Sequence, residues 1–230
     1  MKLSIIVPVY NEVFTISKVI TRLKEFVVTH PSEIIIVDDG SDDGTRQYLG
    51  EYVFDSVFKI ILLDKNHGKG YAVREGVKNA TGEFILIQDA DMEYRMGDIP
   101  SLIEQTKIAN VVFGNRFHPK VKHRKSMYYF GNRGLTFLTN VLFGSNIHDM
   151  EVGYKLVNKN IFNRLNLKEN RFGVEPEIVA KLLKKGYYIA QVPITYNPRD
   201  REHGKKIKAK DGFIAAWVLI RERFFSTDKQ

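Results

Sequence analysis

Residues 83–91 read Glu-Phe-Ile-Leu-Ile-Gln-Asp-Ala-Asp, an apolar run that ends in two aspartates. An unbroken apolar run is typical of a strand buried on both faces of a parallel sheet, and ligands bind at the carboxyl ends of such strands. Asp89 and Asp91 follow the strand directly, so both can face one hard cation, Mg²⁺ or Mn²⁺, with Glu93 contributing through water. The alternative is that the two aspartates only cap the following turn.

The chain on both sides of this stretch alternates strands with helices. Apolar runs predict strands at 3–9, 33–37, 58–63, 83–88 and 110–113, and helical spacing predicts helices at 13–27, 45–52, 70–80 and 98–106. In the less regular second half, helices are predicted at 127–143, 158–165, 176–185 and 211–225, short strands at 154–156 and 188–192, and a polar loop at 197–210. We therefore expect one compact α/β domain over 1–230, with a mostly parallel central sheet flanked by helices.

Three other predicted strands also end in polar or glycine-rich motifs. These are Pro8-Val9-Tyr10-Asn11-Glu12, Asp38-Asp39-Gly40-Ser41-Asp42-Asp43-Gly44-Thr45 and Asn66-His67-Gly68-Lys69-Gly70. Aromatic rings can stack on a nucleobase, carboxylates can accept hydrogen bonds from a base or ribose, and glycines allow a backbone close to a base or phosphate. Each motif alone could be a turn or a cap, but together they lie at one edge of one sheet. The third motif has neither P-loop nor GxGxxG spacing, which disfavours a Rossmann dehydrogenase.

Positive charge is concentrated in one segment. The chain has 35 Lys and Arg against 27 Asp and Glu, a net charge of +8. Residues 105–148 contain no Asp or Glu and carry these cations: Lys107, Arg116, Lys120, Lys122, Arg124, Lys125 and Arg133. This pattern suggests a partner that carries phosphate, or an anionic membrane surface; an ordinary solvated basic surface is the alternative. Nucleic acid is not an expected partner, because no aromatic-basic motif of a known reader is present.

Composition excludes several classes of protein. The chain has no cysteine, which rules out disulfides, thiolate metal sites and a cysteine nucleophile. The longest uncharged apolar run near the C-terminus, 212–220, is far shorter than the about 20 residues that cross a bilayer. The N-terminal residues are typical of a first strand rather than a signal peptide. A soluble, cytoplasmic protein is therefore expected.

Several of these motifs, in this order, resemble the family 2 glycosyltransferases with the GT-A fold. The segments that carry the resemblance are IIVPVYNE (5–12), IIIVDDGSDDGT (34–45), NHGKGYAVREGVKNATGEFILIQDAD (66–91) and GNRF (114–117). Within that family the chain is most similar to the branch of dolichyl-phosphate mannose and glucose synthases. The segments that point to this branch are HDMEVGYKL (148–156), FGVEPEIVAKLLKKGYYIAQVPITYNPR (172–199) and HGKKIKAKDGFIAAW (203–217).

The resemblance implies roles for individual residues. The nucleoside pocket and ribose would be lined by Pro8, Tyr10, Glu12, Asp38 and Asp39, with Lys69 near the donor nucleotide. Asp89 and Asp91 would bind the metal that bridges the donor diphosphate. Arg116 would lie near phosphate or the acceptor, and Asp149 close to the sugar and acceptor. Arg199 and Lys205 would close over phosphate groups.

The implied activity is an inverting transfer of a hexose from a UDP- or GDP-sugar, with 1–115 binding the donor and 116–230 the acceptor. A polyprenyl or dolichyl phosphate is the favoured acceptor, and it needs no strong base; Arg116, Arg133 and the run 120–125 would bind its phosphate. A hydroxyl of a soluble or cell-envelope glycan would instead need a general base, for which Asp149 is the best candidate. The remaining alternatives are a sugar-phosphate nucleotidyltransferase, disfavoured by Pro-Val-Tyr-Asn-Glu after the first strand, and a non-catalytic nucleotide-sugar-binding module.

The last predicted helix carries a broad apolar face. Its members are Phe213, Ile214, Ala216, Trp217, Ile220 and Phe224. Packing of this face against the domain is expected. The alternative is an interfacial helix at the inner face of an anionic membrane, flanked by lysines and arginines.

Overall fold

The computed structural model describes residues 2–51, 56–119, 127–199 and 209–226. Its strands are β1 (Leu3–Val9), β2 (Ser32–Asp38), β3 (Phe58–Leu62), β4 (Phe84–Ile87), β5 (Val111–Asn115), β6 (Lys155–Asn158) and β7 (Ala190–Pro193). Its helices are α1 (Ile16–Thr29), α2 (Thr45–Glu51), α3 (Lys69–Lys78), α4 (Ile99–Gln105), α5 (Met127–Phe143), α6 (Lys159–Arg164), α7 (Val174–Lys184) and α8 (Ala209–Phe224). The predicted Lys205 and the basic run 120–125 lie outside the described residues.

All seven strands form one sheet in the order β3-β2-β1-β4-β6-β5-β7. β6 pairs antiparallel with both β4 and β5, and the other strand pairs are parallel. The expectation of a mostly parallel sheet is therefore confirmed. The short strand predicted at 154–156 is present as β6, but its antiparallel direction was not predicted. Because β6 runs against β4, its first residues lie beside the last residues of β4, and the segment before β6 reaches the edge where Asp89 and Asp91 lie.

The core is centred on β1, β2 and β4. Ile5, Ile6 and Val7 are each fully buried in β1. Since consecutive strand residues point to opposite faces, burial of all three means that both faces of the sheet are covered. Each such side chain contributes about 1.5–3 kcal/mol to the free energy of unfolding. This is the burial that the unbroken apolar runs predicted.

Helix α7 begins two residues before the predicted start at Pro176. A proline in the first turn of a helix is tolerated, because the first backbone N–H groups have no partner within the helix. Pro176 is therefore inside the first turn rather than at its start. The shift brings Glu175 into the helix, where its buried side chain points to the functional edge described below.

The expectation that the apolar face of α8 packs against the domain is wrong. Ala215, Val218 and Leu219 are the buried apolar residues of this helix, whereas Phe213 and Trp217 are 80% and 57% exposed. The smaller side chains allow α8 to lie close to α5 and α7, and the large aromatic rings are on the outside. None of the helices in the described ranges is long and apolar enough to cross a membrane.

Candidate active site

Asp89 and Asp91 follow β4, and each of them faces a cationic side chain of the protein. Asp89 Oδ1 lies 2.6 Å from Lys69 Nζ, and the same nitrogen lies 2.5 Å from Glu175 Oε1. Asp91 Oδ2 lies 3.6 Å from Arg199 Nη2. Within the part of the chain that the structure describes, no three acidic or histidine side chains are grouped to hold a metal. Asp89 is thus closely paired with Lys69, whereas Asp91 has a more distant cation in Arg199.

The electrostatics of this edge are dominated by crowded acids. Burial, together with the charges of Asp89 and Glu93, raises the pKa of Asp91 to about 7. Burial lowers the pKa of Lys69, but the Asp89 and Glu175 carboxylates raise it well above its usual value. Lys69 is therefore a permanent cation, whereas Asp91 is short of positive charge.

The side chain of Glu93, which was predicted to contribute to metal binding through water, contacts the segment after β7. Its Oε2 accepts a hydrogen bond from the Tyr196 hydroxyl at 2.8 Å, and its Oε1 accepts one from the Arg199 backbone N–H at 2.8 Å. Both carboxylate oxygens are thus engaged in holding the segment after β7. A role for Glu93 in metal binding stays a prediction.

The ends of β1 and β2 are joined by hydrogen bonds. The Asn11 backbone N–H donates to Ser41 Oγ at 2.9 Å, and the Glu12 backbone N–H donates to Thr45 Oγ1 at 2.9 Å. Pro8 and Tyr10 are half-buried beside them. The residues predicted to line a nucleoside pocket therefore lie together at one edge of the sheet.

Asp38 and Asp39 differ in how far their carboxylates are satisfied. Asp38 is buried, and its Oδ1 has no hydrogen-bond partner among the described residues. Asp39 accepts hydrogen bonds from the backbone N–H groups of His67 at 2.8 Å and Gly68 at 2.7 Å, and burial raises its pKa. Asp39 therefore holds the loop after β3, whereas Asp38 has one carboxylate oxygen that could accept a hydrogen bond from a ligand.

The glycines around Lys69 serve the protein's own backbone. A Cβ on Gly68 would collide with the Asn170 carbonyl oxygen, and one on Gly70 with the Glu169 carbonyl oxygen. Gly68 also has a φ of 103°, which side-chain-bearing residues rarely adopt. These glycines therefore allow the loop before α7 to pack closely, and their approach to a base or phosphate stays a prediction.

Arg116 and Asp149 form a buried pair at the end of β5. Asp149 accepts hydrogen bonds from Arg116 Nε at 2.7 Å, Nη2 at 2.7 Å and the backbone N–H at 3.0 Å. The Arg116 guanidinium lies 4.9 Å from the Tyr196 ring centroid and 5.5 Å from that of Phe117. Burial lowers the pKa of Arg116, but the Asp149 carboxylate raises it well above its usual value. Asp149 positions a permanent cation, and this pairing leaves it poorly placed to accept a substrate proton.

Three charged residues were not identified as site residues from the sequence: Lys155 and Glu175, which are buried, and Glu151, which is half-buried. Lys155 is fully buried and donates to the Val152 carbonyl oxygen; burial lowers its pKa to about 8 although Glu175 and Glu151 favour its charge. Burial and the charge of Glu175 raise the pKa of Glu151 to about 7. The one feature of the sequence that could have indicated them is a charged residue within a largely apolar segment. These groups extend the charged site between Asp89 and Asp149.

Comparison with known proteins identifies the family. The model described as "Glycosyl transferase family 2" matches residues 4–165. The chain is similar to glycosyltransferase AglJ of Haloferax volcanii, with 28% identity over 94% of this chain and 70% of that protein. It is also similar to the dolichyl-phosphate beta-glucosyltransferase of Saccharomyces cerevisiae, with 30% identity over 86% of this chain and 67% of that enzyme.

Solved structures support the same fold. Glucosyl-3-phosphoglycerate synthase from Mycobacterium tuberculosis, in complex with Mn²⁺, UDP and phosphoglyceric acid, aligns with a TM-score of 0.72 and 17% identity. The alignment covers 99% of this chain and 80% of that one. Because the family model matches most of the sequence and the sheet follows the same fold, this protein belongs to glycosyl transferase family 2 and is a glycosyltransferase with the GT-A fold.

Proposed function

We propose that this protein transfers a hexose, with inversion, from a UDP- or GDP-sugar to the phosphate of a polyprenyl lipid. The observation that supports a phosphate as the acceptor is the buried Arg116–Asp149 pair. A phosphate oxygen is already an anion, so it needs a cation to bind it and no base to activate it. This oxygen would form the new bond to the anomeric carbon, while the bond to the nucleoside diphosphate breaks and its electrons leave with the diphosphate. Residues 1–115 would supply most of the donor site and 116–230 the acceptor site.

The donor side is supported by Asp38 and by the two aspartates after β4. The unpartnered Asp38 Oδ1 suits an N–H of the nucleobase, which both uracil and guanine possess. The carboxylates of Asp89 and Asp91 suit Mg²⁺ or Mn²⁺, since such ions bind one or two carboxylates and take further oxygens from the diphosphate. When bound, the ion would neutralise charge on the leaving diphosphate. Lys69, held between Asp89 and Glu175, would add a second cation at this place.

The test is a transfer assay with separated acceptors. Radiolabelled UDP- and GDP-sugars are incubated with the protein, Mn²⁺ and either polyprenyl phosphate in vesicles or a mixture of soluble sugars and glycans. We expect label to enter the lipid phase from one of the two nucleotide classes. If the label enters only soluble hydroxyl acceptors, the proposed phosphate acceptor is wrong. The enzyme would then need a general base to activate the hydroxyl.

Metal binding should depend on pH because of Asp91. Its pKa of about 7 means that below this pH the carboxyl is protonated, and a divalent ion must first displace that proton. The apparent Kd for Mn²⁺, measured by electron paramagnetic resonance, is therefore expected to rise about tenfold per pH unit below pH 7 and to be level above it. A Kd that is constant down to about pH 5.5 would contradict the raised pKa.

An exposed apolar surface supports contact with a membrane. The α5–α8 patch consists of Phe130, Phe137, Val141, Phe213, Ile214, Trp217, Phe224 and Phe225, all exposed. The two helices lie against each other, and exposed patches of this kind mark interaction surfaces. Arg133 and Arg223 are exposed on the same helices, which suits anionic lipid headgroups.

The α5–α8 patch is connected to the proposed acceptor site. The Arg133 guanidinium lies 5.7 Å from the Phe117 ring centroid, and Arg116 lies 5.5 Å from the same ring. A bilayer on this patch would present a lipid phosphate first to Arg133 and then to Arg116. We therefore propose peripheral contact with the cytoplasmic face of a membrane.

Removing apolar groups from this patch should weaken membrane binding. For the double variant Phe213→Glu/Trp217→Glu, we expect the partition coefficient onto phosphatidylglycerol vesicles to fall about tenfold or more in co-sedimentation, since two apolar contacts are replaced by negative charge. Ile108→Glu is the matched control, because Ile108 is 75% exposed on the turn after α4, outside the patch. Equal losses for both variants would exclude the patch as the contact surface.

A further inference from the structure

The Arg199 guanidinium lies between two acids of the donor site. Its Nη1 and Nη2 donate to Glu12 Oε2 and Oε1, each at 3.0 Å, and Nη2 lies 3.6 Å from Asp91 Oδ2. One side chain from the segment after β7 thus connects the end of β1 with the end of β4. The side chain is only 19% exposed, so this bridge is part of the interior of the site.

The backbone beside Arg199 is fastened to a single residue, Glu93. The Arg199 N–H donates to Glu93 Oε1 at 2.8 Å, the Asn197 N–H donates to the Glu93 carbonyl oxygen at 2.9 Å, and the Tyr196 hydroxyl donates to Glu93 Oε2 at 2.8 Å. These bonds aim the guanidinium at Asp91 and Glu12. The buried Arg199 Nε has no hydrogen-bond partner among the described residues, so the acids, and not a complete hydrogen-bond shell, hold the group here.

The acids at this edge need positive charge whether or not a ligand is bound. Asp89, Asp91, Glu93 and Glu12 lie close together, and Lys69 balances only Asp89 and Glu175. A guanidinium beside Asp91 supplies the missing charge. It also excludes another cation, because two positive charges about 4 Å apart repel each other strongly in a partly buried site.

We infer that Arg199 is an internal counter-ion of the donor site, which the divalent ion and the nucleotide displace together. The inference rests on the proposed donor site, in which Asp91 holds the ion and Glu12 lines the nucleoside pocket. Since the same guanidinium contacts both acids, one movement of one side chain clears both positions. The cost of that movement lowers the affinity of the free protein for the metal alone.

The test is the affinity for Mn²⁺ alone, measured by electron paramagnetic resonance on the whole chain without nucleotide. Arg199→Gln is expected to bind Mn²⁺ about tenfold more tightly than the wild type, because the metal no longer competes with the positive charge of Arg199 for Asp91. Arg95→Gln is the matched control: it removes the same charge from an exposed side chain four residues after Asp91. It should change the affinity by less than about twofold, since exposed charges are screened.

The possible results distinguish failure of the counter-ion role of Arg199 from failure of the proposed sugar transfer. Unchanged or weaker Mn²⁺ binding by folded Arg199→Gln overturns the inference and leaves the proposed transfer intact. A wild type that binds no Mn²⁺ overturns the inference together with the metal site, whereas a wild type that binds Mn²⁺ but transfers no sugar overturns only the function. If circular dichroism shows that Arg199→Gln does not fold, Arg199→Met replaces it, and tighter binding than in the wild type is again required, because methionine also removes the positive charge beside Asp91.

Discussion

Asp91→Asn is expected to reduce sugar transfer about a thousandfold and to remove measurable Mn²⁺ binding, while the fold is kept. The asparagine has the shape of the aspartate but not its charge. Burial, together with the charges of Asp89 and Glu93, raises the pKa of Asp91, so a neutral side chain here avoids the cost of a buried charge and relieves repulsion. The midpoint of thermal unfolding at neutral pH should therefore stay level or rise although activity is lost.

Three measurements check this result: the transfer rate with Mn²⁺, the Mn²⁺ titration and thermal unfolding. Glu104→Gln is the control, because it removes one negative charge from an exposed side chain of α4 and should change none of the three. Near-normal turnover by Asp91→Asn would refute the metal role of the aspartates after β4. A large fall in unfolding temperature would show instead that Asp91 is a structural residue.

Arg116→Gln has the second large expected effect, on both activity and stability. It leaves Asp149 buried without its cation, and the loss of one partner from a buried pair costs about 3–5 kcal/mol of unfolding free energy. It also removes the cation proposed to bind the acceptor phosphate, so we expect transfer to fall about a hundredfold to a thousandfold. Urea unfolding and transfer to polyprenyl phosphate measure the two losses.

Asp149→Asn and the double variant Arg116→Gln/Asp149→Asn separate the two roles. With a phosphate acceptor, Asp149→Asn should reduce transfer about tenfold through a less well-held Arg116; loss of a general base would cost up to about ten-thousandfold. The double variant removes both charges and should regain much of the stability lost in Arg116→Gln, because no unpaired buried ion remains. Its transfer should stay low. Recovery of transfer in the double variant would mean that Arg116 has only a structural role.

The sequence predicted those parts of the fold whose signal is local. The runs that form β1, β2 and β4 are apolar on both faces, and buried parallel strands need such runs wherever they lie in the sheet. The direction of β6 depends instead on its neighbours β4 and β5, and its four residues contain no information about them. The prediction for α8 was wrong because an apolar stripe indicates that a helix is amphipathic. It does not show which of the apolar residues pack against the rest of the protein.

The candidate site divides in the same way. The motifs after β1, β2 and β4 meet at one edge, as parallel strands require, and this part followed from their order in the chain. The partners of the acids did not follow from the sequence. The pairs Glu175–Lys69, Arg199–Glu12 and Arg116–Asp149 are 33 to 187 residues apart in the chain, and only the folded sheet brings them together. A single acid in a helix such as α7 has no local feature that distinguishes a site residue from an ordinary first-turn carboxylate.

The insertion of β6 between β4 and β5 has a consequence for how such enzymes can be recombined. Neither neighbouring strand has a complete set of backbone partners until residue 158 is in place, so the part of the chain proposed to bind the nucleotide is completed by the part proposed to bind the acceptor. Exchanging the two parts between relatives by a crossover near residue 115 would break the ladder at its centre. Donor and acceptor preferences are therefore expected to respond to substitutions within this one sheet, and a chimera joined near residue 115 is expected to fold poorly.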